Sequence, residues 1–223
     1  MSSNGKVIAI IGGTGSLGSG LAFRLAGAGY QVLIGSRKRE NAVEAAQHIS
    51  EGLGKSGDRG RVEGTENLDA ASRADIVILS VPYAQHEAII NHIKPVVEGK
   101  IVVDTTVPLM PPKVGTVQLP AAGCAAVEAQ KLLDGVARVV SAFQTVAADK
   151  LRSGEPLRCD VLVSGDTKDD CQQVIEMVSA IGMRGLYAGP LANSAASEAL
   201  TSVLITINRQ FKCQAGIQIV GAY

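Results

Sequence analysis

The residues with the clearest chemical meaning are three glycines, Gly13, Gly15 and Gly18, whose spacing fits G-x-G-x-x-G. In this motif the first glycine permits a tight turn, the second lets the backbone approach a pyrophosphate, and the third allows a helix to pack on a strand. Free N–H groups and the helix dipole at the start of that helix favour a negative charge. The spacing predicts a dinucleotide-binding turn, and the alternative is an ordinary tight turn.

A basic cluster, Gly35-Ser36-Arg37-Lys38-Arg39, stands about 20 residues after the glycines. An NAD-preferring site usually has Asp or Glu there, which would repel a 2′-phosphate. A hydroxyl and a guanidinium can instead bind phosphate oxygens, and Arg can do so bidentately. We therefore expect NADP(H), with Ser36, Arg37 and Lys38 as candidate contacts, Arg37 the best of the three cations and Arg39 the weakest. The alternative is a solvated helix start.

Other catalytic and metal-binding patterns are missing from the sequence. Four cysteines are widely spaced without C-x-x-C, and three histidines show no zinc-ligand spacing. There is also no G-x-S-x-G motif and no cluster of carboxylates typical of a metal or glycosidase site. We predict no metal site and no catalytic side chain, so that the bound nucleotide supplies the chemistry.

The elements around the glycines are those of a βαβ unit. Residues 7–11 form an apolar, β-branched run before the glycines, residues 17–29 have helical spacing, and residues 30–35 return to strand character. Further strands are expected at residues 75–82 and 100–104. This alternation predicts an α/β fold with a Rossmann-type, doubly wound parallel sheet. Ligands bind beyond the carboxyl ends of such strands, which makes Val81, Thr106 and Pro108 candidate cofactor contacts.

The second half of the chain predicts a small C-terminal α/β region. We divide the chain into an NADP-binding domain (1–144) and this smaller region (145–223). Helices are expected at 121–133, 167–181 and 191–211, strands at 138–143, 159–165 and 183–187, and a short edge strand at 215–220. Residues 201–208 carry no charge and are apolar on nearly every face. We expect this stretch to be buried all round by core, ligand or a partner subunit.

Composition excludes several classes of partner. The 223 residues have a formal net charge of zero and only 3% aromatic residues, which argues against nucleic acid. No apolar run approaches the ~20 residues of a membrane span, and the start of the chain is too short and polar for a signal peptide. We expect small-molecule partners or a second copy of the chain, in the cytoplasm.

Seven stretches, in order along the chain, together resemble the NADPH-dependent coenzyme F420 reductase family. They are residues 10–18, 35–37, 81–83, 103–109, 140–144, 160–166 and 188–193. The resemblance implies hydride transfer between NADP(H) and F420, a 5-deazaflavin, by a homodimer. A deazaflavin ring can delocalise charge, so direct transfer would need no essential side-chain acid.

The resemblance also implies roles for individual residues. The pyrophosphate would be covered by Thr14, Gly15, Ser16 and Leu17 beside Gly13; the 2′-phosphate would be bound by Ser36 and Arg37; and Val81, Thr106 and Pro108 would lie towards the nicotinamide. The deazaflavin would contact Gln144, Ala147, Leu191, Asn193 and Thr201. The chain departs from the archaeal pattern at Gln144 and Ala195, where those members have His and Arg.

Two other functions stay open from the residues. One is an NADP-dependent reductase of a small imine or carbonyl substrate, although such folds generally add a long helical domain that supplies a proton donor. The other is a non-catalytic module that senses NADP(H), with which the missing acid and base residues are compatible.

Overall fold

The computed structural model describes residues 5–54, 60–153 and 155–221. The strands are β1 (Val7–Ile11), β2 (Gln31–Ser36), β3 (Val62–Glu66), β4 (Ile76–Leu79), β5 (Ile101–Asp104), β6 (Arg138–Ser141), β7 (Asp160–Gly165) and β8 (Arg184–Tyr187). The helices are α1 (Ser16–Gly27), α2 (Arg39–Leu53), α3 (Asn67–Arg73), α4 (His86–Ile93), α5 (Ala125–Leu133), α6 (Ala148–Arg152), α7 (Lys168–Ala180) and α8 (Ser194–Phe211).

All eight strands belong to one sheet, in the order β3-β2-β1-β4-β5-β6-β7-β8. The first six are parallel, β7 runs antiparallel to β6, and β8 is parallel to β7. The predicted α/β Rossmann-type fold is confirmed. The sheet continues across residue 144, where direction reverses between β6 and β7, and the division into two domains there stays a prediction.

Strand β1 is buried on both faces. Ile8 and Ile10 face the cluster that includes α1 and α2, whereas Ala9 and Ile11 face the cluster that includes α3, α4 and α5. All four are fully buried because neighbouring side chains of a strand point to opposite faces and helices cover both. The carboxyl end of β1 therefore opens onto the edge of a packed core.

Helix α5 begins at Ala125 instead of residue 121. Gly123 has φ +100°, a left-handed conformation that does not continue a helix. The carboxylate of Glu198, far away in sequence, accepts hydrogen bonds from the N–H groups of Ala125 and Ala126. The early start predicted from composition was wrong because a tertiary contact defines this end.

The prediction that residues 201–208 are buried all round is wrong. It lies in α8, where Ser202 and Leu204 are buried but Val203 is 45% exposed. The helix contacts the rest of the chain through one side only, for example through the hydroxyl of Thr201 on the carbonyl of Gln144. The opposite side of α8 is therefore an exposed apolar face.

The predicted edge strand at residues 215–220 is also wrong. The segment has one backbone hydrogen bond to β7, from Asp160 N to the Ile217 carbonyl, and is otherwise held by side chains. Asp160 Oδ2 accepts from Ile219 N, and Arg184 donates to the Ile219 carbonyl. Strand β6 pairs only with Ser164 and Gly165 of β7, so the segment lies beside the start of β7, but a single backbone hydrogen bond does not make a ladder.

Candidate active site

The turn after β1 requires glycine for two different reasons. Gly12 has φ +77°, and a Cβ there would lie 2.4 Å from the carbonyl oxygen of Ser80. Gly13 has an ordinary φ, but its Cβ would lie 2.8 Å from the Ile10 carbonyl oxygen. The left-handed residue that makes the turn is thus Gly12, one position earlier than the motif predicts.

The other two glycines differ in what surrounds them. A Cβ on Gly18 would lie 2.8 Å from Gly13 Cα, so its absence lets α1 contact the turn. A Cβ on Gly15 would have only one atom within 4 Å, the Gly12 carbonyl oxygen at 3.5 Å, and Gly15 is exposed. Space therefore does not demand glycine at position 15, whereas a close ligand would.

The start of α1 is suited to an anion. Gly15 precedes the helix, no side chain caps it, and its first turn contains no acidic residue. The first N–H groups of a helix have no intrahelical partners, and the dipole adds partial positive charge. Ser16 and Leu17 supply such groups in this helix of 12 residues. The start of α1 is therefore suited to bind a phosphate group.

A cleft of about 720 Å³ runs along the carboxyl ends of β1, β2 and β4. Its lining consists of Gly12, Thr14, Gly15, Ser36, Arg37, Lys38, Asn41, Asn67, Ser80, Val81, Pro82, Gln85 and Ile89. Among these described residues none carries a carboxylate, and the two cations stand together after β2. The cleft is therefore an environment for an anionic ligand with its added charge near Arg37 and Lys38.

Asn67 is a cleft residue that the sequence reasoning missed. It begins α3 directly after β3, and its side chain is only 4% exposed. Its Oδ1 is buried without a hydrogen-bond partner among the described residues. A buried acceptor of this kind is costly unless a ligand or water satisfies it, so its position fits a bound dinucleotide. The signal available was its place at the carboxyl end of a third parallel strand.

Asp104, at the carboxyl end of β5, organises the next part of this edge. It is fully buried, and its Oδ2 lies 2.7 Å from His86 Nε2 while Oδ1 accepts from Thr106 N at 2.9 Å. The Asp104 carbonyl accepts from Gln144 Nε2 at 2.9 Å. One residue thus holds the turns that follow β5 and β6.

Two polar atoms beside Asp104 have no described partner. They are Thr106 Oγ1 and Gln144 Oε1, on side chains that are 2% and 6% exposed. The amide of Gln144 also donates to Ser141 Oγ, which fixes its orientation. Two orphaned acceptors at adjacent strand ends fit the polar edge of a bound ring.

The His86–Asp104 pair is buried inside the fold. Burial alone would lower the pKa of His86, but the hydrogen bond and charge of Asp104 outweigh it, so the pKa lies above its ordinary value. The pair ties α4 to the end of β5.

Glu198 is a second buried acid, 1% exposed. It accepts from Ala125 N at 2.7 Å, from Ala126 N at 3.2 Å and from Ser194 Oγ at 2.8 Å. Burial raises the pKa of Glu198 to about 7, although these three hydrogen bonds act in the opposite direction. Its carboxyl group joins α8 to α5 and does not line the cleft.

Comparison with known proteins identifies the family. Residues 7–108 match a family model described as NADP oxidoreductase coenzyme F420-dependent. An F420-dependent NADP reductase of Methanocaldococcus jannaschii is 40% identical over 218 residues, which cover 95% of this chain and 97% of that protein. The chain belongs to the F420-dependent NADP reductase family. The family predicted from the sequence is thereby confirmed.

Two further comparisons agree with this family membership. An F420-dependent NADP reductase of Methanothermobacter marburgensis is 36% identical over 219 residues, covering 95% of this chain and 97% of the relative. A solved structure from Arthrobacter sp. FB24 superposes with a TM-score of 0.77 over 96% of this chain and 99% of its own, at 22% identity. At that identity the superposition shows the shared fold.

The residues that family resemblance implied for the dinucleotide converge on one edge of the sheet. Thr14, Gly15, Ser36, Arg37, Lys38 and Val81 line the cleft, whereas Gly13, Ser16 and Leu17 belong to the turn after β1 and the start of α1 beside it. Thr106 and Pro108 are buried after β5. Their individual contacts with a ligand stay predictions.

The residues implied for the deazaflavin are less uniform in position. Thr201 donates to the Gln144 carbonyl at 2.9 Å, and Ala147 lines a second cleft beside α6. Leu191, in contrast, is 1% exposed within the core, and the Asn193 amide donates to the Ala188 carbonyl. Gln144 and Thr201 are therefore the pair that a hydrogen bond joins, and Ala147 lies three residues after Gln144.

Within residues 5–54, 60–153 and 155–221, no group of three or more His, Cys, Asp and Glu side chains could hold a metal ion. In the same ranges, no helix combines the length and apolar character that crossing a membrane requires.

Proposed function

We propose that this chain transfers a hydride between NADP(H) and the deazaflavin F420. The observation that carries the proposal is a cleft in which no described lining residue carries a carboxylate, with the start of α1 after its middle strand β1 and Arg37 and Lys38 after β2, in a member of this family. Family membership confirms the oxidoreductase class and the two cofactors expected from the sequence.

The chain's own residues divide the binding task. The N–H groups of Ser16 and Leu17 are suited to the pyrophosphate, and Ser36 with Arg37 to a 2′-phosphate. The buried Oδ1 of Asn67 offers a hydrogen bond on the adenosine side. NADH would leave the cations after β2 without an anion, so we expect NADPH to bind more tightly.

Catalysis in this proposal depends on positioning. When both are bound, NADPH would supply a hydride to the deazaflavin, and the reduced ring, whose charge is delocalised, would take its proton from solvent. Asp104 holds Thr106 and Gln144 in place, and their unpartnered oxygens can orient the polar edges of the two rings. No side chain acts as an acid in this proposal, and Glu198 and His86 are each engaged in buried contacts.

Anaerobic absorbance spectroscopy tests the proposal. The purified protein is mixed with NADPH and F420, loss of the deazaflavin band is followed, and NADH replaces NADPH in the control. Rapid bleaching with NADPH, much slower with NADH, is the expected result. Tight NADPH binding without bleaching would reject F420 and favour an imine or carbonyl substrate, or a sensor role.

We further propose a homodimer formed through the exposed apolar face of α8. Val203 and Phe211 on this face are 45% and 67% exposed, and Val117 and Leu119 of the connection between β5 and α5 are each 44% exposed. Thr206 donates to the Gly115 carbonyl, which holds that connection beside α8. An exposed patch of this kind is typical of subunit contacts.

Light scattering tests the proposed homodimer. It should give twice the 23.0 kDa chain mass, and a monomer would reject the proposal.

The expected cytoplasmic location also stays a proposal. It is supported by the four cysteines, Cys124, Cys159, Cys171 and Cys213, all of which are free thiols. Subcellular fractionation of the source cells would test it.

A further inference from the structure

A second cleft lies beside α6, on the far side of the turn that follows β6. Its volume is about 480 Å³, and its lining includes Val146, Ala147, Lys150, Arg158, Gln214 and Gly216. We call it the α6 cleft. Val146 and Ala147 directly follow the Gln144 turn that the proposed function assigns to the deazaflavin. A group attached to a ring at that turn can therefore reach this cleft.

Arg24 of α1 holds the backbone of Lys150 and Glu155, two residues that line the α6 cleft. Its guanidinium donates to the carbonyls of Leu151 at 2.7 Å, Lys150 at 3.2 Å and Glu155 at 2.7 Å. Gly20 of the same helix is in close contact with Leu151, because a Cβ on Gly20 would lie 2.7 Å from the Leu151 Cβ. The cleft is thus held by the helix whose other end forms the dinucleotide site.

The segment that follows α8 supplies another part of the lining of the α6 cleft, with Gln214 and Gly216. The Gln214 amide donates to Asp149 Oδ2 at 2.6 Å, and the Ile217 carbonyl accepts from Asp160 N at 2.8 Å. Gly216 lies against Cys159, where a Cβ would come within 2.8 Å of the Cys159 Cβ. This segment is therefore held by hydrogen bonds on both sides of Gly216.

The charges in this cleft favour an anion. Lys150 and Arg158 are exposed cations, and with the other described residues neither side chain forms a hydrogen bond or an ion pair. Glu155 is the single carboxylate among the described lining residues. Asp149, next to Lys150, is already bonded to Gln214. Two cations without partners thus face a cleft much larger than the ~30 Å³ share of one water.

We propose that the acidic tail of F420 lies in the α6 cleft, with Lys150 and Arg158 as its cationic contacts. This inference rests on the proposed function. The tail carries a phosphodiester and glutamyl carboxylates, which match an ammonium and a guanidinium in charge and hydrogen bonding. The site would replace cations that the chain lacks at Gln144 and Ala195.

Binding is tested with two deazaflavins that differ only in the tail. F420 is compared with Fo, which has the same ring and ribityl chain but no phosphodiester or glutamates. Fluorescence titrations of the full-length protein give both dissociation constants, for the wild type and for the double variant Lys150→Ala/Arg158→Ala. We expect the wild type to favour F420 over Fo, and the double variant to lose about tenfold of that preference. Added salt should weaken F420 binding more than Fo binding.

A matched double variant, Arg61→Ala/Lys168→Ala, removes the same charge from exposed positions that line neither cleft. It should retain the wild-type preference for F420. An NADPH titration of each variant checks that the dinucleotide site is intact.

The titrations separate the two proposals. Equal affinity of the wild type for F420 and Fo, or equal losses in both double variants, overturns the tail site while F420 bleaching still supports the reductase. Absence of bleaching with either deazaflavin rejects the proposed function, and absence of binding rejects both.

Discussion

The buried carboxyl group of Glu198 should make the stability of the protein fall as pH rises. Burial raises its pKa from an ordinary 4.5 to about 7, so the folded chain holds a proton that the unfolded chain releases earlier. The stabilising contribution is complete below pH 4.5 and is lost as pH rises through about 7. At about 1.4 kcal/mol per pH unit between the two values, the loss is roughly 3 kcal/mol.

The variant Glu198→Gln should remove this pH dependence. A glutamine oxygen can accept from Ala125 N and its amide can donate to Ser194 Oγ, which are the contacts that a protonated acid would make. The weaker bond from Ala126 N, at 3.2 Å, is lost, so we expect a constant cost of about 1 kcal/mol at low pH. Above neutral pH the variant should be the more stable protein.

Urea unfolding between pH 5 and pH 8 measures the effect. The free energy of unfolding of the wild type should converge with that of the variant and then fall below it. Glu44→Gln, at an exposed position on α2, serves as the control and should follow the wild type. Parallel curves for wild type and Glu198→Gln would refute the assignment of the raised pKa to Glu198.

Two other predictions concern the dinucleotide site. Arg37→Ala should raise the KM for NADPH at least tenfold and leave the KM for NADH nearly unchanged, because a charge-assisted contact with the 2′-phosphate is lost. Arg39→Ala is the control. Equal changes of KM for both nucleotides would contradict the role of Arg37 in binding the 2′-phosphate. Gly12→Ala should lower the free energy of unfolding by several kcal/mol, since it combines a left-handed φ with a contact 2.4 Å from the Ser80 carbonyl oxygen. Gly99→Ala is the control, because Gly99 has φ +67° and a Cβ there would have no atom within 4 Å. Its free energy of unfolding, measured in urea, should fall by about 1–2 kcal/mol through the left-handed φ alone. Losses of the same size in both variants would disprove the steric argument.

The parts of the protein that the sequence determined by itself are those encoded over short distances. The apolar run of β1, the glycines after it and the helical spacing of α1 lie within 21 residues, and Ser36 to Lys38 follow the next strand directly. Strand and helix periodicities are local properties, and glycine is demanded wherever backbone approaches closely. The Rossmann-type fold and the preference for a 2′-phosphate could therefore be predicted.

Tertiary structure alone decided the features that join distant segments. Asp104 pairs with His86 and holds Gln144, and Glu198 defines where α5 begins, 73 residues earlier in the chain. Contacts between distant segments also decide which side of α8 is exposed and why residues 215–220 do not form a strand. Whether an apolar helix is buried, or a segment joins a sheet, depends on which neighbours are already in contact, and no local pattern carries that information.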